Sequence, residues 1–313
     1  MPFRFHLKRQ RRYEVSSRKS YVVCVRLLDN RLIECTLTAD STGYDCLENL
    51  AQRVELNEID FFGLRYVNKK LRMRWLDLEK PIKKQMDKHS HSPLLYFGVI
   101  FYIHEVEHLK DPMTRYQYFL QLKSDVIEGK LPCTQQQAVL LAAYSIQAEF
   151  GDHDKKQHTP DFFKDYVILP RAMTSDESSL GDLTQEVVAI HQTLHGISPA
   201  AAELRYLNET RQLESYGTEF YPTKDDKSRD YLLGVSYMGI SVKDLNGRPS
   251  IYFRWSDIAN LTQNKRTFGI NGMGSNRPIE FHLDDAEIAK YVFKMCSLQH
   301  QFYKATHSPS PAM

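Results

Sequence analysis

The stretch LLYFGVIFYIHEVEH, residues 94–108, decides between two kinds of protein. Its last five letters match the HExxH pattern of zinc hydrolases, in which a helix places two histidines on one face and the glutamate acts as general base. The ten preceding residues are rich in β-branched and aromatic side chains and predict a buried strand instead. In an extended chain, His104 and His108 would lie about 13 Å apart, at about 3.3 Å per residue. One zinc ion with bonds of about 2.1 Å cannot reach both, so we expect no metal site here.

The residues upstream of this strand predict a small mixed sheet. A hairpin is indicated by the runs SYVVCVRLL and RLIECTLTA on either side of the turn DN. A helix follows, with Ser41 or Thr42 as N-cap. Its predicted buried face consists of Leu47, Leu50, Ala51 and Val54. Two more strand-like runs and a short helix near 81–86 then precede the strand at 94–103. This order is that of ubiquitin-like folds, whose last strand is central and buried, and we predict such a lobe over residues 20–104.

A helical lobe is predicted over residues 110–217. The segment TRYQYFLQLKSDVIEGKL carries one broad apolar stripe, and Thr134 and Gln137 form a capping box before the next helix. Further helices are predicted from about Asp182 to His195 and from the N-cap Ser198 to Tyr216, after the polar loop MTSDESSLG. His191 and His195 are four residues apart in a last turn, where they suit the helix dipole better than a metal.

The strand period returns after the helices. Seven or so antiparallel strands, followed by a helix that starts at Asp284 or Asp285, match the PH/PTB architecture over residues 222–305. We expect residues 306–313, THSPSPAM, to begin a disordered linker, which suggests that the natural chain continues.

Composition and charge narrow the class of protein. The 313 residues are 42% hydrophobic and 26% charged, with no apolar run long enough for a membrane span and no signal peptide at the amino terminus. The five cysteines show no CxxC pairing, as expected for reduced thiols in a cytoplasmic protein. Residues 1–20 hold seven basic side chains and one acidic, a local charge of +6 within a net charge of +2. The basic segment 1–19 suits an anionic membrane surface or nucleic acid, and equally a solvated tail without a partner.

Several longer segments resemble one family. They are WLDLEKPIKKQ at the end of the first lobe, TRYQYFLQLKSDVIEGKLPC at the start of the second, YGTEFYPTKD at the junction, and LGVSYMGISV and IYFRWSDIANLTQNKR in the third. With the order of the lobes, they resemble FERM domains, the ezrin, radixin, moesin and protein four-point-one superfamily, over residues 20–305. The resemblance implies a multi-domain α+β fold of three lobes: ubiquitin-like, helical like the acyl-CoA-binding protein, and PH/PTB-like.

A narrower resemblance concerns MPFRFHLKRQRRYEV, LLDNRLIECTL and QAEFGDHD, which are similar to the amino-terminal region of Pez-type non-receptor protein tyrosine phosphatases. In that family a long linker and a C-terminal phosphatase domain follow the FERM region. Such a phosphatase needs its cysteine in an HCx5R loop, and none of the five cysteines here follows a histidine or has an arginine six residues on. We therefore expect no enzyme within this chain, no cofactor and no metal; catalysis would lie beyond Met313.

Two binding surfaces are implied by the resemblance. In some FERM proteins a phosphoinositide headgroup docks between the first and third lobes, where clustered basic side chains hold its phosphates. The candidate lipid-binding residues are Lys69, Lys70, Arg72, Arg74, Lys265 and Arg266. Alternating charges such as Arg72 and Arg74 also suit the solvated face of a protected edge strand.

The second implied surface is a groove between the strand near 267–271 and the last helix, where PTB-like folds add a peptide as an extra strand. The candidate groove residues are Thr267, Phe268, Gly269, Ile270, Asn271, Tyr291 and Phe293. We expect Gly269, Gly272 and Gly274 to loosen this edge. The two aromatic residues on the helix equally suit core packing.

Together these features predict a non-catalytic FERM targeting and protein-interaction module. It would place a cytosolic tyrosine phosphatase at the membrane cortex or at cell junctions, on the cytoplasmic face of the plasma membrane or on the cytoskeleton. The expected partners are cytoplasmic peptides or proteins of the cortex and junctions, and phosphoinositide or another acidic lipid; no nucleic acid is expected. The alternatives are a pure protein-binding scaffold without lipid binding, and the zinc hydrolase that HEVEH suggests.

Overall fold

The apolar run after Pro93 contributes the central strand of a five-stranded sheet. The strands are β1 Ser20–Arg26, β2 Leu32–Thr38, β3 Phe62–Asn68, β4 Met73–Trp75 and β5 Ser90–Val99, in the order β2-β1-β5-β3-β4. β5 runs parallel to β1 and antiparallel to β3. The strand ends at Val99 rather than at Ile103, because residues 101–103 pack elsewhere: the ring of Phe101 stacks on that of Phe302 at 4.5 Å.

This computed structural model describes residues 20–246, 248–274 and 277–307. The predicted basic segment 1–19 and residues 308–313 of the predicted linker lie outside the described residues. The chain divides into two compact units, one ending at residue 215 and the other made of residues 101–103 and those from 216 onward. Among the described helices, none combines the length and the apolar character needed to cross a membrane.

Two helices complete the first lobe, α1 Gly43–Arg53 and α2 Ile82–His89. Thr42 is the N-cap of α1, since its side chain accepts a hydrogen bond from the Asp45 amide and the Asp45 side chain accepts one in return. The predicted apolar face of α1 is confirmed: Leu47, Leu50, Ala51 and Val54 are all buried.

Five helices follow in the first unit: α3 Pro112–Ile127, α4 Gln135–Phe150, α5 Pro160–Phe163, α6 Glu177–Thr193 and α7 Pro199–Thr210. The predicted caps at Thr134 and Ser198 are confirmed. α6 starts before the predicted Asp182, because Asp176 caps it by accepting the Ser179 amide, so half of the predicted polar loop is helical. α7 ends at Thr210, short of the predicted Tyr216.

The first sheet and α3 are joined by one polar contact inside apolar packing. Gln121 of α3 accepts hydrogen bonds from the Arg65 guanidinium at 3.0 Å and from the Val99 amide at 3.3 Å. The Arg65 guanidinium also lies 4.6 Å from the Trp75 ring centre. Gly98 permits this approach, since a Cβ there would lie 2.4 Å from Arg65 Nη2. The ubiquitin-like sheet is therefore fixed to the helices within one unit.

The second unit is a seven-stranded antiparallel sheet packed on one long helix, as predicted for this lobe. Its strands are β6 Glu219–Lys224, β7 Asp230–Val235, β8 Gly239–Asp244, β9 Pro249–Arg254, β10 Ile258–Asn264, β11 Thr267–Gly272 and β12 Ile279–His282. α8 spans Ala286–His307, and Asp285 caps it by accepting the Ile288 amide at 2.8 Å. Trp255 and Phe268 lie at the centre of the core.

Candidate binding surfaces

The turn between β3 and β4 presents the first group of predicted lipid-binding residues. The side-chain oxygen of Asn68 accepts hydrogen bonds from the Lys70 amide at 3.0 Å and the Arg72 amide at 2.9 Å, which fixes the turn. Leu71 sits at the apex with φ of 59°, and its side chain is 70% exposed. An apolar side chain therefore projects from a rigid tip between two exposed basic residues.

Lys69, in the same turn, caps the helix α2. Its amide donates to the carbonyl of His89 and its Nζ donates to the carbonyl of Lys88 at 2.9 Å, so it caps the C-terminal end of α2. The exposed basic residues at the tip of the turn are therefore Lys70 and Arg72, with Lys69 tied to the helix.

Arg74 lies on β4, the edge strand of the first sheet, opposite Tyr66 of β3. Its side chain is half-buried, and Nη1 donates to the carbonyl of Met73 at 3.0 Å. Arg74 is thus held along the edge rather than at the tip. This position fits the edge-protection interpretation for Arg74 better than it fits a headgroup contact.

Lys265 and Arg266 form the two-residue turn between β10 and β11 in the second unit. Lys265 has φ of 49°, and its carbonyl accepts a hydrogen bond from the Gln263 side chain at 2.6 Å. Both side chains are exposed at the end of this hairpin. They make a second basic tip, which belongs to the second unit.

The predicted peptide groove needs a correction. β11, which contains the candidate residues 267–271, is paired on both sides, with β10 and with β12. A strand with two neighbours cannot accept a third, so Thr267 to Asn271 offer no edge for a peptide. The free edge of this end of the sheet is β10, which packs against α8. The sequence prediction chose β11 instead of β10, although β10, β11 and β12 are consecutive in the chain and pair as neighbours.

The glycine and aromatic residues of the predicted groove have structural explanations. Gly269 is buried within the ladder, and a Cβ there would lie 2.4 Å from Thr262 Oγ1, so the glycine serves a close approach rather than a loosened strand. Tyr291 and Phe293 of α8 pack against the core of the lobe, with the Tyr291 ring 6.0 Å from that of Tyr221. Core packing thus accounts for both aromatic residues.

The HEVEH stretch is not an α-helix. Only Val106–His108 form a single 3-10 turn, and His104 precedes it in a loop. His108 Nε2 lies 3.1 Å from Glu105 Oε2, and both side chains are well exposed. The motif requires a helix that aligns both imidazoles beside a free glutamate, and this backbone supplies neither feature. The helix that a zinc hydrolase would need over residues 104–108 is therefore absent.

These lobes match three domain families along the chain. Residues 25–88 match the FERM N-terminal domain, 104–221 the FERM central domain, and 225–311 the FERM C-terminal PH-like domain. The chain belongs to the FERM family. Because the matched domains are non-catalytic, this FERM region is a non-catalytic module.

Relatives of this FERM region include named phosphatases. It is 46% identical to tyrosine-protein phosphatase non-receptor type 21 of Rattus norvegicus and 44% identical to type 14 of Homo sapiens, in each case over 97% of this chain. The chain spans 26% of the length of either relative, so most of each phosphatase lies outside the match. Among solved structures, the FERM and C-terminal domain complex of Drosophila Merlin matches with a TM-score of 0.82 at 22% identity, over 92% of this chain and 98% of that one.

Proposed function

We propose that this FERM region places a cytosolic tyrosine phosphatase at the membrane cortex or cell junctions by binding acidic lipid headgroups and partner peptides. Its relatives are named tyrosine phosphatases, which supports a catalytic phosphatase domain elsewhere in a longer protein. The Merlin structure is a complex of a FERM domain with a C-terminal domain, which supports the binding of protein segments.

The β3–β4 tip carries the membrane part of the proposal. Leu71 is 70% exposed and Met73 is 38% exposed, and the exposed Lys70 and Arg72 flank Leu71. An apolar side chain beside basic groups suits the boundary of an anionic bilayer, since the apolar group enters the interface while the charges remain with the headgroups. A solvated edge alone would not explain an exposed leucine held at a fixed apex by Asn68.

The test is co-sedimentation of the chain with vesicles of phosphatidylcholine alone or with phosphatidylserine or phosphatidylinositol bisphosphate. The variant Lys70→Glu/Arg72→Glu leaves Lys69 on α2. Each basic group near an anionic surface contributes about 1 kcal/mol, so the double reversal should weaken binding by at least about 2 kcal/mol, roughly 30-fold. A matched control, Lys155→Glu/Lys156→Glu, changes the net charge equally at two other exposed lysines of the same unit.

The outcomes separate the membrane function from the scaffold. The proposal is supported if wild-type binding requires anionic lipid, the Lys155→Glu/Lys156→Glu control still binds, and the Lys70→Glu/Arg72→Glu variant does not. Equal loss of binding in both variants would mean that only net charge matters. If the wild-type chain does not bind vesicles at all, the alternative function, a protein-binding scaffold without lipid binding, is favoured. The companion variant Lys265→Glu/Arg266→Glu measures the second basic tip separately.

A second candidate function, peptide binding by strand addition, is favoured by the free edge of β10 beside α8. In a hairpin closed by a two-residue loop, the flanking pair Asn264 and Thr267 exchanges both hydrogen bonds. By alternation along the strand, the amides of Gln263 and Leu261 point away from β11, toward the open edge. These groups are available to an extended peptide.

The β10 edge can be tested without removing a ladder bond. Gln263→Pro deletes an outward amide and should abolish binding of extended peptides, screened on an array of cytoplasmic tails of cell-surface proteins. Gln263→Ala is the matched control and should bind normally. Unchanged peptide binding by a folded Gln263→Pro variant would exclude strand addition at β10.

A further inference from the structure

Three histidines of the helical lobe lie close together, although one of them is more than 30 residues from the other two in the sequence. His153 and His158 lie in the loop between α4 and α5, and His191 lies on α6. The ring centres are 5.4 Å apart for His153 and His191, 5.5 Å for His158 and His191, and 5.9 Å for His153 and His158. One ring nitrogen from each histidine lies within 4.8 Å of those of the other two.

His191 is fully buried and presents a lone pair. Its Nε2 lies 2.9 Å from the carbonyl oxygen of Gly151, which can only accept, so Nε2 carries the proton. Nδ1 is then unprotonated, and it is buried without a hydrogen-bond partner. Metal-bound histidines commonly donate their second nitrogen to a backbone carbonyl in this way, which fixes the tautomer and the ring.

His153 offers a second nitrogen of the same kind. Its Nδ1 is also buried without a hydrogen-bond partner. Burial and the neighbouring histidine lower the pKa of His153, and burial is likewise the main cause of the lowered pKa of His191. An imidazole binds a metal in its neutral form.

His158 is the third and more constrained member. It is 6% exposed, and its Nδ1 accepts a hydrogen bond from the Asp154 amide at 3.1 Å, so in the neutral ring the proton is on Nε2. Binding of a metal through Nδ1 replaces this hydrogen bond, and binding through Nε2 moves the proton to Nδ1, which then no longer accepts from the Asp154 amide. Phe150 contacts His158, and Phe163 contacts both His158 and His191, so apolar rings border two of the three histidines.

The two neighbouring carboxylates, Asp152 and Asp154, form hydrogen bonds with groups outside the histidine cluster. Asp152 accepts hydrogen bonds from the Gln147 side chain and the Gly196 amide and lies 3.1 Å from His195 Nδ1. Asp154 accepts the Lys156 amide. An unpaired buried nitrogen normally costs stability, and two such nitrogens belong to this cluster. A ligand that accepts electron pairs would remove that cost.

We propose that His153, His158 and His191 form a binding site for a divalent transition metal ion, with zinc as the best fit. Imidazole nitrogen suits zinc, which is commonly four-coordinate, so three protein ligands leave one position for water. Bonds of about 2.0–2.1 Å require ligand atoms about 3.4 Å apart, so the nitrogens, which lie within 4.8 Å of one another, approach by up to about 1.4 Å on binding. A metal bound here would link the loop of residues 151–158 to α6.

The test uses tag-free chain 1–313 treated with a chelator and titrated with zinc sulfate by calorimetry, with thermal unfolding in parallel. We expect about one equivalent to bind and the melting temperature to rise. His153→Phe keeps a ring of similar size at the half-buried position and should weaken zinc binding at least tenfold. Cobalt substitution should give the intense visible absorption of a tetrahedral site in wild type and not in His153→Phe.

Two matched variants keep the result specific. His195→Ala removes an exposed histidine close in sequence to His191, and His104→Ala/His108→Ala removes the HEVEH pair; both should bind zinc as wild type does. Absence of zinc binding by the wild-type chain, or binding that His153→Phe retains in full, would overturn the proposal. Loss of binding in His104→Ala/His108→Ala alone would do so as well.

Discussion

At the scale of single residues, Gly98 shows how one missing side chain joins two lobes of the first unit. The Arg65 guanidinium and Gln121 side chain meet in the space that a Cβ would fill, at 2.4 Å and 2.9 Å. Gly98→Ala should break this contact and reduce the free energy of unfolding by about 1–3 kcal/mol, measured by denaturant titration. Gly181→Ala on α6, where nothing lies within 4 Å of an added Cβ, is the control and should be neutral or slightly stabilising. Equal effects of the two variants would contradict this explanation.

His300 of α8 predicts a pH dependence for the second unit. Its ring stacks on Trp255 at 5.3 Å, and burial, with a smaller contribution from Lys304, lowers the pKa of His300 below its usual 6.5. The unfolded chain then binds more protons near pH 6, so stability is fully present above pH 6.5 and falls as the pH drops through the folded-state value. His300→Phe should flatten the fall in melting temperature between pH 7.5 and 5.5. His307→Phe, at the exposed end of the same helix, should leave the wild-type fall intact.

At the scale of elements, the sequence predicted what local chemistry determines. The caps at Thr134 and Ser198 were predicted from side chains close to each helix start, and for α1 the prediction left Ser41 or Thr42, of which Thr42 is the cap. The position of β11 between β10 and β12 was missed, although the three strands are consecutive in the chain and pair as neighbours. Contacts between distant segments were not readable, such as that of Lys69 with the end of α2 and the meeting of His191 with His153. Motifs within one segment are therefore predictable, and surfaces built by several segments are not.

The capping box of α4 gives a prediction at this scale. The Thr134 hydroxyl accepts the Gln137 amide at 3.3 Å, and the Gln137 side chain accepts the Thr134 amide at 2.9 Å. Thr134→Ala removes the first of these bonds and should lower the free energy of unfolding by about 1 kcal/mol. Thr134→Ser preserves the acceptor and should stay close to wild type, so a serine variant as unstable as the alanine variant would exclude the capping explanation. Chemical denaturation followed by far-UV circular dichroism measures both.

At the scale of the whole molecule, membrane binding would combine charge with apolar insertion, and salt separates the two. The chain carries a net charge of only +2, so attraction to an anionic vesicle depends on local clusters such as the Lys70 and Arg72 tip. The Debye length falls from about 10 Å at 0.1 M salt to about 3 Å at 1 M. Wild-type binding to phosphatidylserine vesicles should therefore weaken steeply between these concentrations, and Lys70→Glu/Arg72→Glu should reduce the steepness.

Leu71 should behave differently from its basic neighbours. Inserting its side chain into the interface depends on apolar area rather than on charge, so Leu71→Ser should weaken vesicle binding by about 1–2 kcal/mol at every salt concentration, without changing the slope. Leu245→Ser, at a leucine that is 68% exposed in the second unit, is the matched control and should have no effect. If Leu71→Ser binds as wild type does while the charge variant loses binding, the tip acts through electrostatics alone. If the control loses as much as Leu71→Ser, the β3–β4 tip is not the inserting element, and the apolar contribution must be assigned to the chain as a whole.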